Sequence, residues 1–169
     1  MDTSENSSSG ISYNDQQLLE RCKEIELLSR DLYNRFAETY TDTPEAVHLW
    51  RKTAREEQNH ADQFTLALKL RKGLNFTTEV SIEKAERISE NLKITIANLT
   101  EKPMPLVESL AFAVRLERFL ADLHLSCIAE FNDPSFAKLF KAMMSSDQEH
   151  VASIEALHEK LTSSPVHKD

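Results

Sequence analysis

The chain has 169 residues, of which 2 are glycine and 5 are proline, while 28% are charged and 40% are hydrophobic. Strand-rich folds need many tight turns, so this composition favours a helical domain. A chain of this length is expected to bury a sufficient core as one domain. The net charge of −8 disfavours nucleic acid and membrane surfaces as partners. The two cysteines form no Cys-x-x-Cys motif, which argues against a zinc ribbon or a disulfide framework.

The two ends of the chain differ from its middle. Residues 1–14 are polar and rich in serine, and they lack the basic start and apolar core of a signal peptide. We predict a flexible tail over 1–14, one helical domain over 15–162, a C-terminal tail over 163–169, and a cytoplasmic location. No apolar run approaches the roughly 20 residues of a membrane span, so no membrane association is expected.

Four long segments repeat apolar residues at alternating spacings of three and four, which is typical of one helix face. They run over about 15–40, from Thr43-Pro44 to Leu68 with Gly73 as the stop, from about Pro105 to Phe131 including Ile128, and from Asp133-Pro134 to Leu161. Very short turns within each pair predict two antiparallel helical hairpins. We therefore expect an all-α four-helix bundle.

About 30 residues separate the two hairpins. Their own helical period runs from Ile82 to Leu99 and is bounded by Lys102-Pro103. A connection this long can return the chain along a bundle, so we predict a long crossover that contains a short extra helix.

Ionisable side chains interrupt the apolar faces at matching positions. Glu57 and His60 form Glu-x-x-His, and Asp147 and His150 form Asp-x-x-His. A spacing of three places both members of a pair on one helix face. An unpaired carboxylate costs several kcal/mol in a core, so these positions require a partner or a cation.

Each pair follows a lone glutamate. Glu26 precedes Glu57 by 31 residues, and Glu117 precedes Asp147 by 30. A shift of 90 or 91 therefore superimposes the two halves, placing Glu26 on Glu117, Pro44 on Pro134, Glu57 on Asp147 and His60 on His150. This pattern indicates an internal repeat of a helical hairpin with three potential ligands in each copy.

Acid-x-x-His also occurs at Glu45 with His48 and at Glu155 with His158. At roughly 100° per residue, Glu45 points about 120° away from Glu57 and Glu155 about 80° away from Asp147. Neither has a carboxylate 30 or 31 residues upstream. Helical phase therefore selects Glu57 with His60 and Asp147 with His150 as the pairs that face the core.

Four carboxylates and two imidazoles that converge in a bundle predict a site for two divalent first-row ions, with imidazole suiting iron. At these residues the chain resembles the ferritin-like superfamily, and within it the rubrerythrin-like and bacterioferritin-like branch, over about 15–162. The resemblance implies a ferritin-like bundle with a di-iron centre. It implies that Glu26 and Glu117 are terminal ligands, that Glu57 and Asp147 bridge, and that His60 and His150 each bind one iron. Mn or Zn is expected to be able to replace iron.

Two further residues are expected near this centre. Tyr33, seven residues after Glu26, matches a tyrosine common in the family, which implies a redox or supporting role; a core tyrosine is the alternative. His124, seven residues after Glu117, either approaches the site or is a hydrogen-bonded core histidine.

The chain departs from the family pattern in three ways. Asp147 stands where the family usually has Glu, so its carboxylate reaches one methylene less far. Leu120 stands where rubrerythrins often have a further Glu. No rubredoxin-like segment is present, so an electron donor would be a separate protein.

The resemblance implies an oxidoreductase that reacts with hydrogen peroxide or dioxygen, either as a rubrerythrin-like peroxidase or as a ferroxidase. Two other functions stay open: a protein that stores or delivers iron, and a metal-free helical interaction module. The family's habit of pairing bundles implies a homodimer or a larger homo-oligomer.

Overall fold

The computed structural model describes residues 12–69, 74–76, 80–126, 129–131 and 134–163, and within them the chain forms five helices and two short strands. In chain order these are α1 (Tyr13–Thr39), α2 (Pro44–Lys69), β1 (Leu74–Phe76), α3 (Ile82–Glu101), α4 (Leu106–Ser126), β2 (Ala129–Phe131) and α5 (Pro134–Ser163). The predicted all-α class is confirmed, since each strand has only 3 residues.

Local sequence signals set the helix ends. The Ser12 hydroxyl accepts a hydrogen bond from the Asp15 backbone N–H, and the Asp15 carboxylate accepts one from the Ser12 backbone N–H. This reciprocal cap starts α1. Tyr13 and Asn14 are therefore helical, although the predicted tail included them, and residues 1–11 lie outside the described part. The starts predicted at Pro44 and Pro134 are confirmed.

Residues of all five helices contribute to one core. α1 packs along α2, α4 packs along α5, and α2 also contacts α5. β1 pairs antiparallel with β2, with Leu74 opposite Phe131. Because β1 follows α2 and β2 follows α4, these two helices end at the same end of the molecule. They therefore run in the same direction, which requires the long connection between them.

The prediction that the third segment stays helical to Phe131 is wrong. α4 ends at Ser126, and Phe131 lies in β2, where backbone hydrogen bonds to β1 replace the last helical turns. The very short turn predicted between the third and fourth helices is consequently a longer connection that holds a strand. Ile128, Asp133 and Gly73 lie outside the described residues.

The connection between the hairpins contains α3, which at 20 residues is longer than the short helix predicted there. Ser81 caps its start, and its end at Glu101 agrees with the predicted boundary at Lys102. α3 packs against α1. Over the described residues, no helix is both long and apolar enough to span a membrane. Residues 164–169 of the predicted C-terminal tail are outside the described ranges, and Ser163 is the last residue of α5.

The inward faces of the helices form a continuous apolar core. Its largest fully buried side chains include Trp50, Phe36, Phe64, Leu110 and Ile154. This packing holds the ionisable side chains of the inward faces away from water.

We predict that Ile154→Ala, one helical turn after His150, lowers the free energy of unfolding by about 2 to 5 kcal/mol, because it leaves a cavity at a fully buried position. The matched control is Ile94→Ala on α3, where the side chain is 56% exposed, and its effect should stay below about 1 kcal/mol. Urea unfolding followed by circular dichroism measures both. Equal effects would contradict this packing of α5.

Candidate metal centre

All six predicted ligands lie together in the middle of the core. They come from α1, α2, α4 and α5, and each is at most 2% exposed: Glu26, Glu57, His60, Glu117, Asp147 and His150. The spacing of three within each acid-x-x-His pair and the hairpin packing together bring these side chains from distant parts of the sequence to one place.

Glu57 lies between the two motif histidines. Its Oε2 is 3.3 Å from Nδ1 of His60, and its Oε1 is 3.3 Å from Nδ1 of His150. One carboxylate thus faces both imidazoles with different oxygens, which is the arrangement that the predicted bridging role needs.

The two lone glutamates flank this centre on opposite sides. Glu26 Oε2 is 3.4 Å from Nδ1 of His60, and Glu117 Oε2 is 3.2 Å from Nδ1 of His150. Potential ligand atoms within 4.8 Å of one another form three groups among the described residues: Glu26, Glu57 and His60; Glu57, Glu117 and His150; and His60, His124 and Asp147.

Asp147 belongs to the third group. Its Oδ2 is 2.6 Å from Nδ1 of His124, and its Oδ1 is 3.8 Å from Nδ1 of His60. The shorter aspartate therefore faces two histidines on one side of the centre, while His150 is grouped with Glu57 and Glu117. The family resemblance implied that Asp147 bridges the two ions, and here its two oxygens face His60 and His124.

His124 is a member of the cluster that the predicted ligand set left out. It is 3% exposed, and its Nε2 is 2.8 Å from Oε1 of Glu26. Its other nitrogen, Nδ1, is 2.6 Å from Oδ2 of Asp147. His124 lies on α4, and it therefore connects Glu26 of α1 with Asp147 of α5. Its spacing of seven from Glu117, about two turns along the same face, is the signal behind the alternative in which it approaches the site, and its contacts with Glu26 and Asp147 agree with that alternative.

Tyr33 also reaches the cluster. Its hydroxyl donates a hydrogen bond to Glu117 Oε1, and the residue is fully buried. Its ring stacks on Trp50 with centroids 5.5 Å apart and planes 5° apart. The tyrosine therefore both orients a predicted ligand and joins the centre to the aromatic part of the core.

Glu56 was not predicted as part of the site, because its neighbour Glu57 occupies the inward phase. Its Oε2 is nevertheless 2.6 Å from Nε2 of His150, and its side chain is 25% exposed. Ser146 also contacts this nitrogen at 3.3 Å. Glu56 thus connects the outer edge of His150 to the surface beside Lys52.

Several ligand-type atoms of the cluster are buried without a hydrogen-bond partner among the described residues. They are Oε2 of Glu26, both carboxylate oxygens of Glu57, Nδ1 of His60 and Oδ1 of Asp147. Buried polar atoms are normally satisfied, and leaving one unsatisfied costs about 1 to 3 kcal/mol. Atoms that crowd together without hydrogen-bond geometry fit shared coordination of cations, so the residues present suit a metal centre.

In the metal-free protein, protons on the histidines balance the buried carboxylates. Burial alone would lower the pKa of His60, but the close carboxylates of Glu26 and Glu57 raise it to about 10. The same competition, with Glu117 and Glu57 as partners, raises the pKa of His150 to about 11. The pKa of His124 is also raised well above its ordinary value by Glu26 and Asp147, despite its burial.

The carboxylates respond to their own neighbours. Burial favours the neutral form of Glu26, but the positive charge on His124 outweighs it and lowers the Glu26 pKa to about 2. Burial and repulsion from Glu57 raise the pKa of Glu117. Burial and the nearby carboxylates raise the pKa of Tyr33 well above its ordinary value, so its proton stays on the phenol.

The other two acid-x-x-His pairs lie away from this centre. Glu45 and His48 are exposed on α2, where Glu45 pairs with Lys160. Glu155 pairs with Arg118 across α5 and α4. Their helical phase excluded them correctly.

Comparison with known proteins adds no family to this description. No family model matches the chain, and neither a curated protein nor a solved structure matches it.

We predict that the metal-free protein is most stable between about pH 4.5 and 6.5. In the folded protein the pKa values of His60 and His150 are raised to about 10 and about 11, whereas a histidine in the unfolded chain has a pKa of about 6.5. The stability that the two protonated histidines provide is therefore complete below about pH 6.5 and is lost as the pH rises through the folded values. The lowered pKa of Glu26 gives stability that is present above about 4.5 and is lost as the pH falls towards about 2.

Thermal unfolding in the presence of a chelator measures this profile between pH 3 and 11. His60→Gln should flatten the alkaline limb, whereas the control His48→Gln, at an exposed position on the same helix, should preserve it. An alkaline limb unchanged by His60→Gln would contradict the proposed charge balance.

Proposed function

We propose that the chain is a ferritin-like di-iron carboxylate oxidoreductase that reacts with hydrogen peroxide or dioxygen. The observation that carries the proposal is the convergence of buried, unpartnered ligand atoms from Glu26, Glu57, His60 and Asp147. Both oxygens of Glu57 lie 3.3 Å from an imidazole nitrogen without hydrogen-bond geometry. Cations that accept these atoms as ligands would satisfy them.

Two ligand groups share Glu57. Glu26, Glu57 and His60 would hold one ion, and Glu57, Glu117 and His150 would hold the other. With Asp147 nearby, four carboxylates balance the charge of two divalent cations. Mixed carboxylate and imidazole ligands suit iron, and they also accommodate Mn or Zn.

Two ferrous ions bound there would supply the two electrons that reduce peroxide or dioxygen. The protein's own contribution is orientation and exclusion of water. Tyr33 holds Glu117 through its hydroxyl and keeps its proton at neutral pH. Trp50 and Phe64, both fully buried, help to close the centre to solvent.

In this proposal, ions enter the centre from the surface beside Glu56. It contacts His150 and remains partly exposed, so one carboxylate faces both the surface and the cluster. The proposal includes a separate electron-donor protein if the reaction is catalytic, and a homodimer or larger assembly.

Stopped-flow absorbance tests the reaction. After ferrous loading under anaerobic conditions, mixing with peroxide or with dioxygen should produce ferric absorbance faster than in buffer with the same iron. The oxidant that reacts faster separates the peroxidase from the ferroxidase form of the proposal. Rates equal to those in buffer would contradict both.

We predict that the purified protein binds two iron ions per chain when it is loaded anaerobically. Glu57→Ala should abolish binding of both, because Glu57 faces both histidines with different oxygens. Glu45→Ala, the matched control in the exposed Glu-x-x-His pair on the same helix, should retain both ions. Elemental analysis after gel filtration gives the stoichiometry, and equal losses in the two variants would show that the wrong motif was selected.

We further predict that metal binding releases about two protons per chain at pH 7, because ligating histidines must be neutral. His60 and His150, with pKa values of about 10 and about 11, carry these protons in the metal-free protein. Metal affinity should therefore rise with pH. Calorimetry in buffers of different ionisation enthalpy counts the protons, and binding without proton release would contradict the predicted protonation.

One observation favours a second function, a metal-free helical interaction module. The raised pKa values of His60, His124 and His150 give three positive charges that nearly balance four buried carboxylates without any metal. The same elemental analysis separates the two functions. Absence of bound iron, zinc and manganese after loading would favour the module.

A further inference from the structure

In each half of the internal repeat, one side chain contacts the lone glutamate of the other half. Tyr33 lies seven residues after Glu26 on α1, yet its hydroxyl donates to Glu117 on α4. His124 lies seven residues after Glu117, yet its Nε2 is 2.8 Å from Glu26. Equivalent positions of the two hairpins thus contact the lone glutamate of the opposite hairpin.

The two halves differ in chemistry at this equivalent pair of positions. A phenol such as Tyr33 can donate a hydrogen bond to a carboxylate ligand, but it stays protonated at neutral pH. An imidazole such as His124 can also bind a divalent ion through nitrogen. His124 is 3% exposed, and its ligand atoms lie within 4.8 Å of those of His60 and Asp147.

We propose that His124 is a metal ligand and that it makes the two metal positions unequal. This inference rests on the proposed function. One position is then rich in nitrogen, with His60 and His124 beside Glu26, Asp147 and the shared Glu57. The other has a single imidazole, with the ligands Glu57, Glu117 and His150.

The placement of Asp147 supports this inequality. Its Oδ2 bonds His124 at 2.6 Å, and its unpartnered Oδ1 is 3.8 Å from His60 Nδ1. The aspartate therefore supports the side that has two imidazoles. When one nitrogen of His124 binds an ion, the other can keep its carboxylate partner, which is the usual way in which metal-binding histidines are oriented.

Unequal ligand sets predict unequal metal preferences. Imidazole-rich sites suit Zn²⁺, Ni²⁺ and Co²⁺, whereas carboxylate-rich sites suit Mn²⁺. The nitrogen-rich position should therefore fill first with Co²⁺.

The first test counts histidine ligands in the unmodified full chain. Proton NMR at one equivalent of Co²⁺ should show two strongly shifted, exchangeable imidazole N–H signals, from His60 and His124. A single signal would overturn the proposal. Because this measurement needs no variant, it remains decisive even if substitutions at the buried position prevent folding.

The second test compares Co²⁺ titrations by calorimetry. The full chain should bind two ions in two separate steps. His124→Tyr, which gives the second half the residue of the first, should weaken the first step at least about 10-fold and bring the two affinities together. His48→Tyr, the same substitution at an exposed histidine of α2, is the matched control and should leave both steps unchanged. Circular dichroism checks that both variants are folded.

The outcomes separate this inference from the proposed function. Two bound ions with a wild-type titration in His124→Tyr would overturn the role of His124 and leave the di-metal centre standing. Failure of the unmodified chain to bind Co²⁺, Fe²⁺ or Zn²⁺ would overturn both. Weakening of only the first step in His124→Tyr, together with two shifted imidazole signals in the unmodified chain, supports the proposal.

Discussion

Four carboxylates buried inside one helical core are the constraint on which the rest of this structure depends. Each buried charge costs several kcal/mol unless an opposite charge or a hydrogen bond compensates it. Glu57 faces two imidazoles, and His124 connects Glu26 to Asp147, so the available positive groups stand between the acids. The buried carboxylates therefore need positive charge beside them, either as protons on the histidines or as cations. Protons and cations compete for the same nitrogen and oxygen atoms.

The internal repeat explains how so many ionisable groups meet. Each hairpin supplies one glutamate and one acid-x-x-His pair, and the exchanged contacts of Tyr33 and His124 connect the hairpins across the centre. The two halves are not chemically identical, because Asp147 stands opposite Glu57 in the repeat and His124 stands opposite Tyr33. Asp147 and His124 also contact each other, so both differences lie on one side of the centre.

Much of the fold and the site could be predicted from local signals. Prolines and helical periodicity located the starts of α2 and α5, and phase separated Glu57 from Glu45. The end of α4 could not be predicted, because Phe131 continues the helical period yet pairs with Leu74 from a distant segment. The site residues missed were those whose role depends on the partner helix: Glu56 has the outward phase of its own helix but reaches His150 on α5.

The sequence by itself determined the helical class, the repeat and the six inward-facing ionisable side chains, because spacing along a helix decides which side chains share a face. Only the tertiary structure decided which of these side chains meet across the bundle. It placed Asp147 beside His60 and His124, and it made His124 part of the cluster. The physical reason is reach: contacts between helices depend on side-chain length and on helix packing, and neither can be read from the spacing of residues within one helix.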